Sequence, residues 1–228
     1  MYKILHSLYR SAGHRSVRRD LWLFLVLTVL FLGLTAFVVS ERSDYWDLHV
    51  SAWLQNRQGE MMDAVMKGFS WLGSVPIAFC MICTASLFFL VSGKKREALL
   101  IFSTVLTGAV SWTLKMLINR SRPGTDFVRV IEETHYQSFP SGHVLFYTVF
   151  FGLLSLIVYH NRKLSRAIKV VCISIFALTL IFGAVSRIYL GAHWFTDILG
   201  GMILGMAFLL LARLAYLKKW VPANNDQR

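Results

Sequence analysis

Six stretches of the chain, 21–40, 72–92, 98–119, 142–159, 167–186 and 194–217, are apolar almost throughout, and most charged residues fall between them. An α-helix rises about 1.5 Å per residue, so about 20 residues cross a hydrocarbon layer about 30 Å thick with the backbone paired internally. The pattern therefore predicts an all-α fold, an integral membrane six-transmembrane-helix bundle over 21–217. A basic N-terminal segment at 1–20 precedes it and a short tail at 218–228 follows. The first run is too long for a signal-peptide core, and the flank VVSERS is a poor cleavage site, so a retained helix is expected. Between the first two runs, DYWDLHVSAWLQ places Trp46, Val50, Trp53 and Leu54 on one helical face, which predicts an amphipathic helix lying in the membrane interface. In the last run, Gly201 and Gly205 stand one turn apart and predict a close helix–helix contact.

Composition agrees with that pattern. Of 228 residues, 56% are hydrophobic and 16% charged, which excludes disordered, collagen-like and disulfide-scaffold classes. The formal net charge of +12 would suggest a nucleic-acid partner in a soluble chain. Sorting the charges by loop changes that reading. Segments 1–20, 93–97, 160–169 and the tail from 213 carry sixteen Lys and Arg against Asp20, Glu97 and Asp226, a net +13; the opposite side carries eight cations against nine anions, a net −1. The positive-inside rule then puts both termini in the cytoplasm of a multi-pass cell (inner or plasma) membrane protein. No nucleic acid is needed to explain the charge.

With that orientation, three polar clusters meet at the extracytoplasmic end. The third run ends in KMLINRSRP, where Lys115 and Arg122 are seven residues, or two helical turns, apart and Pro123 stops the helix. The fourth opens from FPSGH, so Ser141, Gly142 and His143 stand at a helix N-terminus, whose free N–H groups suit an anion. The turn between the fifth and sixth reads SRIYLGAHWFTD and supplies Ser186, Arg187, His193 and Asp197. Lys115, Arg122 and Arg187 form a trio suited to a trianionic phosphoryl group. His193 with Asp197 four residues on has the layout of a nucleophile held in one tautomer, and His143 suits a general acid. No cage of hard oxygen ligands accompanies them, so neither a metal nor another cofactor is expected. The residues alone suggest phosphoryl transfer through a phosphohistidine, with a bell-shaped pH profile because one imidazole must be neutral and the other protonated.

Other polar residues carry plainer expectations. Cys80 and Cys83 form a C-x-x-C inside the second run and, with Cys172, read as small apolar packing residues. Glu132 and Glu133 read as solvated loop charges, His6 and His14 as part of a basic tail, and His49, His135 and His160 as lacking convergent partners.

The ordered set Lys115-x6-Arg122-Pro123, Pro140-Ser141-Gly142-His143 and Ser186-Arg187-x5-His193-x3-Asp197 resembles the three-part signature of the type-2 phosphatidic acid phosphatases, the lipid phosphate phosphatase family, which shares its helical core with vanadium haloperoxidases. The resemblance implies a metal-independent hydrolase acting on lipid phosphates. It gives His193 the role of nucleophile, Asp197 that of orienting it, and His143 that of protonating the leaving oxygen and then activating water. It assigns Lys115, Arg122, Ser141, Gly142, Ser186 and Arg187 to the phosphoryl oxygens, with Gly142 and Ser186 ranked below the rest. Undecaprenyl diphosphate, phosphatidylglycerol phosphate and phosphatidate are the candidate substrates, the first favoured by an outward-facing site. A lipid phosphotransferase with the same phosphohistidine is the nearest alternative, and a non-enzymatic lipid transporter a more distant one. The helix at Trp46 and Trp53 is expected to help admit the lipid tail. These motifs do not specify an oligomeric state.

Overall fold

The computed structural model describes the backbone of residues 2–217 and the side chains of residues 17–216. Expectations resting on the side chains of Lys3, His6, Arg10, His14 and Arg15, and on the tail at 218–228, lie outside the described residues. Within them the chain forms helices and connecting segments: α1 (Tyr2–Val39), α2 (Asp44–Gln55), α3 (Glu60–Trp71), α4 (Val75–Val91), α5 (Lys95–Phe102), α6 (Val105–Ile118), α7 (Gly142–His160), α8 (Arg166–Tyr189) and α9 (Phe195–Leu217).

Among the described residues, five helical stretches are long and apolar enough to cross a membrane, and a sixth arises if α3 and α4, bent by 54° at their junction, are one broken span. The bend falls where Gly73 meets α7: a Cβ there would come within 2.5 Å of His143 Cδ2 and Tyr147 Oη, so only glycine lets the corner approach. Pro76 then opens α4, where its missing N–H has no intrahelical partner to lose. α5 and α6 together make one span, Lys95–Ile118, despite the interruption at Ser103 and Thr104. Asn119 ends α6 in the left-handed conformation at φ 51°, and its N–H returns to Lys115 O.

α7 is the central helix, packed against both α8 and α9. Its aromatic-rich sequence is apolar around most of its circumference, and Val144, Tyr147, Val149 and Leu153 are fully buried. The predicted glycine contact is present. A Cβ on Gly201 would stand 2.7 Å from Ser141 O, and one on Gly205 would stand 2.6 Å from Thr148 Cβ, so both residues let α9 lie against α7. Outward faces stay apolar, with Trp22, Leu32, Phe88 and Val170 exposed, as a hydrocarbon-facing surface requires.

Two expectations need correction. α2 forms where an amphipathic helix was expected, but its four marked residues do not act as one face. Val50 and Leu54 pack on Val144, Ala184, Ile188 and Ile198, while Trp46 and Trp53 are exposed. The buried stripe is polar instead: Ser43, Asp47, Ser51 and Gln55, spaced by four. Asp47 and Gln55 find partners in other segments, Gln55 bridging Arg129 and Tyr189 backbone groups, so the helix docks on protein through hydrogen bonds. The cysteines are free thiols, and Cys80 is exposed on the outer surface instead of packed.

Candidate active site

The C-terminus of α6, the N-terminus of α7, the C-terminus of α8 and the turn into α9 converge at one end of the bundle. Backbone hydrogen bonds lock them together: Ser141 N donates to Asp197 O at 3.0 Å, and His193 N to Arg187 O at 3.1 Å. The tight return after α8 passes through Gly191 at φ +69°, where a Cβ would come within 2.9 Å of Val130 Cα.

The three cations are held mainly by carbonyl oxygens. Lys115 Nζ donates to Gln137 O at 2.5 Å and Ser138 O at 3.0 Å. Arg122 donates through Nε to Tyr136 O at 2.7 Å and through Nη1 to Ala192 O at 2.6 Å, with His193 Nε2 3.3 Å from the same nitrogen. Carbonyls fix these heads without cancelling their charge, so an anion gains the full attraction. Burial, and then the charge of Arg187, pull Arg122 down to about 10, which still leaves it protonated at neutral pH.

Arg187 is the exception. Fully buried, it donates to Ser70 Oγ and, at 2.8 Å, to Glu132 Oε1. Glu132 is thus no free loop charge. Burial alone would raise its carboxyl, yet Arg187, with help from Ser70 and Arg122, holds it below the usual carboxylate range. Of the five buried side-chain polar atoms without a hydrogen-bond partner among the described residues, two belong to this group, Arg187 Nε and Ser141 Oγ. Unsatisfied buried donors are costly and call for an explanation. Here they accompany the open N-terminus of α7, where an anion would satisfy them. Gly142 sits in a close approach of α6 and α7, since a Cβ on it would stand 3.0 Å from Ser111 Oγ. Ser186 turns away from this group: its hydroxyl donates to Gly183 O at 2.7 Å within its own helix.

His193 is 2% exposed, and its Nδ1 lies 3.2 Å from Asp197 Oδ2. That partner assigns the proton to Nδ1 and leaves the Nε2 lone pair toward Arg122. Burial first, and then the surrounding Arg122, Lys115, Arg187 and Arg120, push the ring well below the usual histidine value, so it is neutral. His143, in the first turn of α7, lies within electrostatic reach of His193 and the same three cations. All nine residues expected from the motifs stand at this end of the bundle, although the Ser186 side chain is engaged elsewhere.

The structure adds residues that the motifs did not mark. Arg120 bridges Asp47 and Asp197 at 2.5 Å each. Ser138 Oγ donates to Asp197 Oδ2, and Trp194 N does so at 2.8 Å. Arg120 lies in the same NRSRP run as Arg122, and Asp47 in the i, i+4 polar stripe of α2, so the signals existed without a reason to join them. A cleft of about 410 Å³ opens between the end of α1, the start of α2 and the segment after α6. Glu41, Asp44, Arg120, Arg122, Phe127 and Trp194 are among its walls; neither histidine lines it, so it borders the site without being its centre.

The family model of the PAP2 superfamily matches residues 96–220. The chain is 33% identical over 156 residues, 67% of its length and 74% of the relative's, to phosphatidylglycerophosphatase B of Bacillus subtilis (strain 168). It is 27% identical over 126 residues, 52% of its length and 47% of the relative's, to lipid A 1-phosphatase of Rhizobium johnstonii. The crystal structure of a transmembrane PAP2-type phosphatidylglycerolphosphate phosphatase from Bacillus subtilis matches the fold with a TM-score of 0.76, covering 86% of this chain and 96% of that one at 22% identity. The matched region holds all three polar clusters in order, and on this evidence the chain belongs to the PAP2 superfamily.

Proposed function

We propose that this chain is a membrane lipid phosphatase that removes a terminal phosphate or diphosphate group from a lipid through a phosphohistidine. One observation carries the reading: a buried, neutral His193, tied through Nδ1 to Asp197, sits with Nε2 beside Arg122 in a group of cations where Arg187 Nε and the Ser141 hydroxyl lack partners.

In the first step the Nε2 lone pair of His193 attacks phosphorus, the bond from phosphorus to the lipid oxygen breaks, and His143 gives its proton to that oxygen. Lys115, Arg122, Arg187, the Ser141 hydroxyl and the N–H groups opening α7 stabilise charge on the phosphoryl oxygens. In the second step His143 takes a proton from water, the hydroxide attacks phosphorus, and the N–P bond breaks to return neutral His193. Glu132 keeps Arg187 aimed into the site. The Ser186 hydroxyl, engaged within α8, contributes by packing.

The charge bias between the two sets of loops supports cytoplasmic termini and a site on the extracytoplasmic side. Exposed Trp46 and Trp53 on α2 then lie at headgroup depth beside the site, where they help admit the lipid. The names of the relatives support a lipid that carries a terminal phosphate monoester. Undecaprenyl diphosphate offers a similar terminal phosphoryl group, but on an anhydride, where the leaving oxygen that His143 protonates belongs to the remaining phosphate.

Phosphate release from phosphatidylglycerol phosphate, phosphatidate and undecaprenyl diphosphate, with EDTA present, tests the reading. The wild type is expected to release phosphate from at least one of them, and His193→Ala to lose about a thousandfold or more. Undiminished release by the variant refutes the nucleophile. Abolition of wild-type activity by EDTA refutes the metal-free route.

A further inference from the structure

Arg120 joins two carboxylates from distant parts of the chain. Its Nη1 donates to Asp197 Oδ1 at 2.5 Å and Thr196 Oγ1 at 2.8 Å, and its Nη2 to Asp47 Oδ2 at 2.5 Å and Ser43 Oγ at 2.9 Å. Asp47 Oδ1 also accepts from Thr196 N at 2.8 Å, which pins α2 to the first turn of α9. The Arg120 side chain is 10% exposed, those of Asp47 and Asp197 1% and 0%. Buried carboxylates persist only with such compensation, and a planar fork can serve two at once where a lysine serves one. The result divides the oxygens of Asp197: Oδ1 belongs to Arg120, and Oδ2 receives Ser138 Oγ, Trp194 N and His193 Nδ1.

We propose that Arg120 is a positioning residue for the reaction, which holds the Asp197 carboxylate by Oδ1 and aims its Oδ2 at His193 Nδ1. Through Asp47, the same guanidinium ties that orientation to the docking of α2. The inference rests on the phosphohistidine reading above. The charged and titratable groups facing this cluster include Asp47 from α2, Lys115 from α6, Arg120 and Arg122 from the following segment, His143 from α7, His193 from the turn, and Arg187 from α8, beside His193. Lys115, Arg122 and Arg187 are engaged with other oxygens, so none of them replaces Arg120 between the two carboxylates. With Arg120 removed, Asp197 Oδ1 loses its partner and Oδ2 is no longer held on His193 Nδ1, while one of the cations that depress the His193 ring is gone.

The test is steady-state phosphate release by the full chain in detergent across pH, with a short-chain phosphatidate as substrate. Arg120→Gln is expected to lower kcat about 10- to 100-fold, the range typical of a lost orienting partner, while KM changes less than about 3-fold. Its acid limb is expected to move up toward the usual histidine value, because Arg120 is among the cations that depress His193. Asp47→Asn, which leaves Arg120 on Asp197, is expected to keep the wild-type acid limb. If Arg120 serves only to hold α2 in place, Asp47→Asn and Arg120→Gln lose activity alike and neither moves the acid limb, which overturns the proposal. Should Arg120→Gln fail to elute as a folded species, Arg120→Lys takes its place: a larger loss of kcat than in Asp47→Asn supports the proposal, and an equal loss overturns it. His193→Ala, run in parallel, separates the two levels. Full release by that variant removes the phosphohistidine reading and this inference with it. An inactive His193→Ala beside an Arg120→Gln with wild-type kcat and acid limb removes this inference alone.

Discussion

At His193 the chemistry is set by what encloses the ring. Burial and four nearby cations disfavour the imidazolium, and Asp197 fixes the proton on Nδ1 without enough influence to reverse the effect. An imidazole depressed in this way stays unprotonated below the usual histidine value of about 6.5. The sign of the pH dependence follows directly. The neutral ring that the proposed nucleophile requires is present above the depressed value of His193 and lost only as pH falls through it. The acid limb of kcat/KM in the wild type is therefore expected below about pH 6.5, as a profile across acidic and neutral buffers would show. An acid limb clearly above that value contradicts a buried, cation-flanked nucleophile. The same residues explain what sequence spacing can convey. His193 four residues before Asp197 is a local relation and was legible. Lys115 and Arg122 were legible as a pair but not as one helical face, because Asn119 ends α6 in the left-handed conformation and Arg122 follows in the connecting segment. The partners of Asp197 were not legible, because Arg120 reaches it across 77 positions and reaches Asp47 across 73. Glu132 was misread for the same reason: its partner Arg187 is 55 positions away.

Among elements, α7 and α9 carry the site between them. Ser141 opens α7 while bonded to Asp197 O at the start of α9, and the glycines one and two turns further along keep the two helices in contact. Gly205→Leu forces a side chain into Thr148, whose Cβ lies 2.6 Å from the position a Cβ would take. Overpacking of this kind costs about 1–3 kcal/mol. A lowered melting temperature in detergent, with phosphate release falling in step, is the expected outcome; an unchanged melting temperature contradicts the close contact. The small-xxx-small spacing made this contact readable in advance, because it depends on residue size along one helix face. The orientation of α2 was less accessible. Its tryptophans suggested a lipid-facing anchor, but a polar stripe of Asp47, Ser51 and Gln55 faces the protein. Such a stripe is interpretable only once its partners on α9 and the intervening loop are in place.

At the scale of the molecule, the apolar runs located the spans well because a bilayer imposes length and composition on each helix by itself. The broken span of α3 and α4 escaped that rule: its corner depends on Gly73 meeting His143 and Tyr147 of another helix. The charge excess that first suggested nucleic acid divides into a basic set of loops and a nearly neutral one, and four of the eight cations on the second side, Lys115, Arg120, Arg122 and Arg187, surround His193. On this account the bundle is a scaffold that holds a neutral imidazole inside a positively charged, partly unsatisfied anion site. The most direct test is to quench the enzyme during turnover of a phosphate-labelled lipid under alkaline conditions, which preserve phosphohistidine, and to map the label by mass spectrometry. The account predicts phosphate on His193 in the wild type and none in His193→Ala. Label on another residue, or rapid turnover with no trapped phosphoenzyme at any quench time, would contradict it.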